Sequence, residues 1–285
     1  MQKHLMSLMA VVLCAMVLLS GAAAENTGDA GVAWTFPVAL ADLTDRFLVL
    51  ASAEQPLEAD YIPAKLETLT SRRNAQDGSN INGGVYMASS QDVQLASAAA
   101  NALIKMMSDA EVQGVVLYAR QGYRSYADQQ KRYDQAQSKG DTSSVQKPGQ
   151  CDYQTGLAVT VVGKAWRTKA LTTEFASSAE GQWLLSNCGR YGFILRYPEG
   201  KEDVTGYAYE PWHLRFVGSG VSSYIVKEGL TLEEFHAAVE QAYADFAAAG
   251  GDVETAIAAT QLPEGAAVLE SCGPDGDHEI VLFHD

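Results

Sequence analysis

The chain has 285 residues, 47% apolar and 19% charged, the balance of a globular protein with a core; a disordered, collagen-like or coiled-coil chain is excluded. Thirty-five Asp and Glu stand against 20 Lys and Arg, giving a formal net charge of -15, so phosphate backbones are repelled and nucleic acid is a poor partner. Four cysteines without a Cys-x-x-Cys pair are too few for a disulfide scaffold.

Lys3 and His4 precede an apolar run from Leu5 to Leu19, followed by Ser20-Gly21-Ala22-Ala23-Ala24 and Glu25. This is the pattern of a secretory signal peptide over residues 1–24, and the run is shorter than the roughly 20 residues a spanning helix needs. The mature chain is therefore expected to be secreted, extracytoplasmic and free of a membrane span. Residues 25–45 read as a loose N-terminal arm. Leu48-Val49-Leu50 is a strand candidate, and residues 71–84 form a Gly- and Asn-rich loop. From Val93 to Met107, Leu95, Ala98, Ala99, Ala102, Leu103, Met106 and Met107 recur at helical spacing.

Val115 to Tyr118 then reads as a strand, Tyr126 to Ala136 as a polar helix, and 138–150 as a Ser/Gly/Pro loop. Gly156 to Val162 is rich in β-formers. Residues 174–190 read as one helix with Phe175, Trp183, Leu184 and Leu185 inward. Phe193 to Leu195 is a strand, and Tyr207 to Val217 another. Thr231 with Glu234 makes a capping box for a helix through about Ala249, stopped at Gly250-Gly251. Residues 266–285 suit a hairpin around Gly273-Pro274-Asp275-Gly276. Helices and strands alternate without regular βαβ spacing, so an α+β fold is predicted, with a domain over 46–235 and a C-terminal helix and tail over 236–285.

Neither His-Glu-x-x-His nor Gly-x-Ser-x-Gly occurs. Of the histidines only His213 has a dense context, Tyr209-Glu210-Pro211-Trp212-His213-Leu214-Arg215-Phe216; the others read as surface residues. A Glu three residues before a His can place a general base beside a metal-binding imidazole, although such a pair alone is more often structural.

Four blocks occur in order: Tyr123-Arg124-Ser125-Tyr126-x-x-Gln129; Pro148-Gly149-x-x-x-x-Gln154-Thr155-Gly156-Leu157-Ala158-Val159; Tyr191-Gly192-Phe193-Ile194-Leu195-Arg196-Tyr197-Pro198; and Glu210-Pro211-Trp212-His213. Over roughly residues 46–235 the chain resembles the VanY-type D-alanyl-D-alanine carboxypeptidases and their L,D-carboxypeptidase relatives. The resemblance implies an α+β fold with a small antiparallel sheet. It also implies an extracytoplasmic zinc peptidase that removes the terminal D-alanine from peptidoglycan stem peptides. Zinc would be held by His, Asp and His, a Glu at position 210 would be the general base, and Arg124, Ser125, Tyr126 and Gln129 would meet the substrate.

The family's first metal block reads Ser-Glu-His-x-x-Gly-x-Ala-x-Asp. The matching run here is Cys151-Asp152-Tyr153-Gln154-Thr155-Gly156-Leu157-Ala158-Val159-Thr160, so Tyr153 and Thr160 occupy two ligand positions and only His213 is retained. A catalytic zinc site normally has three protein ligands, and neutral hydroxyls are poor ones. The expectation is a homologue without zinc that binds a D-Ala-ended stem peptide or a cell-wall protein. Two rivals stand beside it: an active carboxypeptidase with a rebuilt metal site of Cys151 and His213, with Asp152 as a further candidate ligand, and a scaffold using the Thr231–Ala249 helix and the tail hairpin. On an extended strand Asp152 would face away from Tyr153. Cys151 reads as a buried thiol or as a disulfide partner of Cys188, with Cys272 left over.

Overall fold

The computed structural model describes residues 32–43, 45–72, 84–89, 92–140, 142, 145–260, 267–272 and 278–283. In chain order they form α1 (Asp45–Leu48), β1 (Leu66–Thr68), β2 (Gln94–Ala96), α2 (Ser97–Val112), β3 (Leu117–Gln121), α3 (Tyr126–Ser138), β4 (Ala158–Gly163), α4 (Ala179–Asn187) and β5 (Phe193–Leu195). There follow α5 (Glu202–Thr205), β6 (His213–Phe216), α6 (Ser219–Glu228), α7 (Leu232–Ala248), α8 (Val253–Thr260), β7 (Ala267–Cys272) and β8 (His278–Phe283). The leader over 1–24 and the turn at Gly273 to Gly276 lie outside the described residues; β7 and β8 pair antiparallel as a hairpin requires. Among the described residues no helix is long and apolar enough to cross a membrane.

The architecture is α+β. The central sheet has strand order β3-β4-β6-β5, with every neighbouring pair antiparallel. Strand β4 is buried along its whole length, which explains its nearly unbroken β-branched sequence. Helix α2 lays Ala99, Leu103, Met106 and Ala110 against the sheet, in one cluster with Leu117, Val159, Val161, Phe193 and Leu214. These residues recur at helical spacing on α2 and at strand positions on the sheet, and each large one contributes about 1.5–3 kcal/mol on burial.

A second cluster joins Val38, Leu40, Leu43 and Leu48 to Val221, Ile225, Leu232, Phe235, Val239 and Phe246. The segment expected as a loose arm is thus, over 32–43, packed on α6 and α7; Trp34 also donates from Nε1 to the Val38 carbonyl at 2.8 Å. Leu48-Val49-Leu50 is not a strand. The Arg215 guanidinium takes the carbonyls of Phe47 and Val49, so these backbone acceptors serve a side chain instead of a ladder. His236 is not a surface residue either, because its half-buried ring bonds the Leu48 carbonyl at 2.7 Å.

Other boundaries shift for local reasons. The helix expected from Val93 begins at Ser97, because Gln94–Ala96 pairs with β1. The helix expected over 174–190 is broken. A 3-10 turn at Thr173–Ser177 precedes α4, whose start is capped by the Ser178 hydroxyl on the Gly181 N–H, and a second 3-10 turn covers Cys188–Tyr191. The strand expected over Tyr207–Val217 is confined to His213–Phe216, because Glu210 to His213 is a turn. At α7 both arms of the capping box are made, between the Thr231 hydroxyl and the Glu234 N–H and between the Glu234 carboxylate and the Thr231 N–H.

Candidate functional site

The site is assembled by the pairing of β4 with β6. Their register places Thr160 directly opposite His213. A one-residue slip would send one of the two to the other face of the sheet. His213 begins β6 immediately after a turn in which its N–H donates to the Glu210 carbonyl at 3.0 Å. Pro211 occupies the second position of that turn, where its fixed φ is preferred. The turn brings Glu210 back onto the imidazole, with Glu210 Oε2 accepting from His213 Nδ1 at 2.8 Å.

Tyr153 arrives from a 3-10 turn, Asp152–Thr155, that ends at Gly156 with φ +71°. A Cβ at Gly156 would stand 2.8 Å from Pro63 Cγ, so both the left-handed backbone and the close approach of the 60s loop call for glycine. The Tyr153 ring stacks on His213 with centroids 4.6 Å apart, and its hydroxyl lies 2.5 Å from Thr160 Oγ1. Tyr153, Thr160 and His213 are all buried.

The same turn overturns the expected direction of Asp152. The backbone is not extended there, and Asp152 points inward, fully buried. Its Oδ1 accepts from Arg215 Nη1 at 2.5 Å and lies 3.6 Å from Arg196 Nε; Arg196 in turn pairs with Glu233 at 2.7 Å. Burial would raise the Asp152 carboxyl, but Arg215, His213 and Arg196 together hold it well below the usual carboxylate range. Asp152 Oδ2 faces His213 Nε2 at 3.6 Å, too far for a direct hydrogen bond, and both atoms are otherwise unpartnered. Burial would lower the His213 pKa, but Asp152 and Glu210 outweigh it and raise it.

On the other side of Tyr153, the Arg124 guanidinium lies 5.0 Å from the ring centroid and donates to Gln129 Oε1 at 2.6 Å. Ser125 caps α3 through the Asp128 N–H and also donates to Asp128 Oδ2, so its hydroxyl is engaged locally. Tyr126 opens that helix, half-buried. Gln129 is buried, with its Nε2 donating to the Gln146 carbonyl. Arg124, Gln129, Tyr153, Thr160, Glu210 and His213 therefore form one connected group. The contribution of Asp152, Arg196 and Arg215 was missed in the sequence; the signal available was two arginines inside otherwise apolar strand segments, which require buried partners.

Cys151 and Cys188 are both free and buried, so the disulfide between them is not formed. Cys188 belongs to the main core, whereas Cys151 packs with Tyr153 and Ala158. Burial pushes the Cys151 thiol up to about 11.

The zinc centre implied by the resemblance can be tested against these side chains. The Tyr153 and Thr160 oxygens satisfy each other. Burial, then the charge of Glu210, push the Tyr153 hydroxyl far above its ordinary value, so it is a neutral phenol. Glu210 is bonded to the imidazole, and the carboxylate nearest to His213 Nε2 is already shared with two guanidiniums. Among the described residues no three His, Cys, Asp or Glu side chains cluster to hold a metal. One imidazole and two neutral hydroxyls do not fit a three-ligand zinc site.

A four-stranded antiparallel sheet with α2 behind it carries the Glu210-x-x-His213 turn, with His213 opposite Thr160 of β4. The chain belongs to the VanY family, described as D-alanyl-D-alanine carboxypeptidase, whose pattern matches residues 92–219. It is 34% identical over 131 residues to the bifunctional D-Ala-D-Ala dipeptidase and D-Ala-D-Ala carboxypeptidase VanXYC of Enterococcus gallinarum, covering 44% of this chain and 69% of that protein. It is 42% identical over 147 residues to YodJ of Bacillus subtilis (strain 168), covering 50% of this chain and 54% of that protein. Among solved structures, the LdcB LD-carboxypeptidase superposes with a TM-score of 0.57 at 34% identity, over 66% of this chain and 84% of that one. A variant of the vancomycin-resistance D,D-pentapeptidase VanY in complex with Zn(II) gives 0.51 at 27%, over 67% and 98%. The chain spans about half the length of three of the curated relatives it matches.

Proposed function

We propose that this chain is a VanY-type carboxypeptidase-like protein of the cell envelope whose zinc site is degenerate. It binds the D-Ala-ended stem peptide of peptidoglycan, or a wall protein presenting similar chemistry, without hydrolysing it. The observation that carries the reading is the hydrogen bond between Tyr153 and Thr160, the two residues at ligand positions of the family's metal block. A phenol and an alcohol bonded to each other leave His213 as the single retained ligand, and His213 is itself held by Glu210. The leader-like sequence over 1–24 supports export, which is where a stem peptide would be met. The connected set of Arg124, Gln129 and Tyr153 supports retention of a peptide-binding cleft. The unit over 46–235 would carry that cleft, with the 236–285 segment as its annex.

The test combines zinc stoichiometry, release of D-alanine from a D-Ala-ended pentapeptide, and calorimetric binding of the same peptide to the purified chain. The expected result is binding with neither stoichiometric zinc nor D-alanine. Release that stops on adding a chelator would establish instead an active enzyme with a rebuilt metal site. Absence of both binding and release would leave the fold as a scaffold, with α7 and the tail hairpin as its interaction surface.

A further inference from the structure

The turn that leaves β4 reverses the acidic character of the chain. The formal net charge is -15, yet Lys164, Arg167 and Lys169 fall on one short turn, and Arg120 of β3 reaches across to join them. Arg120 Nη1 donates to the carbonyls of Trp166 and Lys169, at 2.9 Å each, and so staples the turn to the strand. Arg167 folds back with its guanidinium carbon 4.8 Å from the Tyr118 ring centroid and its Nη2 3.4 Å from the Ala88 carbonyl. Trp166 stands edge-on to the buried Phe175, with centroids 5.5 Å apart, and remains half-exposed; Lys169 Nζ lies 5.9 Å from its ring centroid. Both lysines are exposed and both arginines half-buried.

Among the described residues none of these four cations is ion-paired with a carboxylate. The Glu180 carboxyl stands at the foot of the turn, where a Cβ at Gly163 would lie 2.8 Å from Glu180 Cδ, and it pairs with none of them. Like charges held together in this way repel, and an anion laid over them removes the repulsion. The arginine fork meets phosphate oxygens two at a time, and a lysine meets them as a point charge. Several phosphates on one flexible chain engage the four cations together, each bound group raising the effective concentration of the next.

Three observations narrow the polyanion. Trp166 is the one ring on the turn, whereas single-stranded nucleic acid is held by successive aromatic platforms. The exposed apolar residues of the turn are Ala165 and Ala170, without the large side chains that enter a bilayer. Duplex nucleic acid carries one charge per about 1.7 Å, and a chain of net charge -15 opposes it more than a sparsely charged strand. We infer that the turn over 164–169, with Arg120, is a docking surface for a phosphodiester polymer with a polyol backbone.

The surface lies on the rim of the site already described and uses none of its residues. Tyr118, which carries Arg167, pairs with Val162, two residues along β4 from Thr160 and therefore on the same face. At about 3.3 Å per residue the turn begins about 13 Å from Thr160. A polymer held there leaves the His213 group open to its own ligand, and the inference does not depend on the stem-peptide reading.

The experiment measures calorimetric binding of the full chain to poly(glycerol phosphate) over a series of salt concentrations. Single-stranded DNA and phosphatidylglycerol vesicles serve as the contrasting probes. The proteins are wild type, the double variant Lys164→Gln with Lys169→Gln, Arg167→Lys, and a control that removes the same charge elsewhere, Lys139→Gln with Lys227→Gln. All four substituted lysines are exposed, and circular dichroism checks that each variant is folded. Wild type should bind the polymer, more weakly as salt rises. The Lys164/Lys169 variant should lose about tenfold or more in affinity. Its salt slope should be shallower by about 1.4, the share of two phosphate contacts on a single strand. Arg167→Lys should fall between the two, and the control should match wild type. Equal polymer affinity of wild type and the Lys164/Lys169 variant overturns the inference. An equal loss in the control overturns it too, by showing an effect of total charge. Failure of wild type to bind the polymer, or tighter binding of the DNA or the vesicles, overturns the assignment to a polyol phosphate.

Discussion

Tyr153 stacks on His213 at a centroid distance of 4.6 Å and an interplanar angle of 20°, and the same tyrosine closes the site by bonding Thr160. One side chain thus covers the imidazole face and satisfies the hydroxyl opposite it. Three strongly buried groups are held in a single arrangement.

The Tyr153–Thr160 hydrogen bond is expected to be strongly coupled. Tyr153→Phe alone leaves the buried Thr160 hydroxyl without its partner, costing about 1–3 kcal/mol, and Thr160→Val alone does the same to the phenol. The double variant removes both polar ends with little change in shape and should lie close to wild type. Denaturant midpoints of the four proteins measure the cycle; additive losses would show that the two oxygens do not depend on each other.

Tyr153→His plus Thr160→Asp should restore a three-ligand set with His213. Each single change should bind zinc far more weakly than the pair, because two ligands do not make the site zinc requires. Zinc stoichiometry after dialysis against a weak chelator gives the comparison. A folded double variant without zinc would mean that Glu210, which now bonds the imidazole, keeps it from turning to a metal.

Asp152→Asn should destabilise the fold by about 3–5 kcal/mol, since it leaves Arg215 buried with an uncompensated charge, while Arg196 keeps Glu233. The pH dependence follows from the depressed native pKa of Asp152. Its stabilisation is present above the unfolded value of about 3.9 and is lost as pH falls from there through the native value. Acid titration monitored by circular dichroism should be steeper below about pH 4 for wild type than for Asp152→Asn. Parallel curves would remove Asp152 from the acid transition.

Native Cys151 and Cys188 should resist alkylation at pH 8, because both are buried and burial pushes their thiols up to about 11 and about 12. Unfolding without reductant should expose both to iodoacetamide. A peptide pair linked between them in non-reducing mass mapping would contradict the free-thiol structure.

Gly156→Ala should cost at least about 1–2 kcal/mol from the left-handed backbone alone. The contact with Pro63 adds to this, since the proline ring is rigid and would have to move with its loop. Thermal denaturation is the measurement. A variant as stable as wild type would show that the 60s loop yields freely.

Much of this molecule is legible in its sequence because the signals are local. The Thr231–Glu234 capping box, the α2 apolar face, the Phe193–Leu195 strand and the substitutions at Tyr153 and Thr160 need only neighbouring residues and the order of the blocks to be read. What the tertiary structure alone decided depends on partners far away in the chain. Arg215 reaches back to Phe47 and Val49 and cancels a strand that local β-propensity favours. Asp152 turns inward because two arginines from β6 and the end of β5 await it, and a 3-10 turn reverses the direction that strand geometry would give. Residues 32–43 look like a loose arm until the apolar faces of α6 and α7 are present to bury them. Composition and periodicity record which residues want to be buried or bent; only the folded chain determines which distant group meets them there.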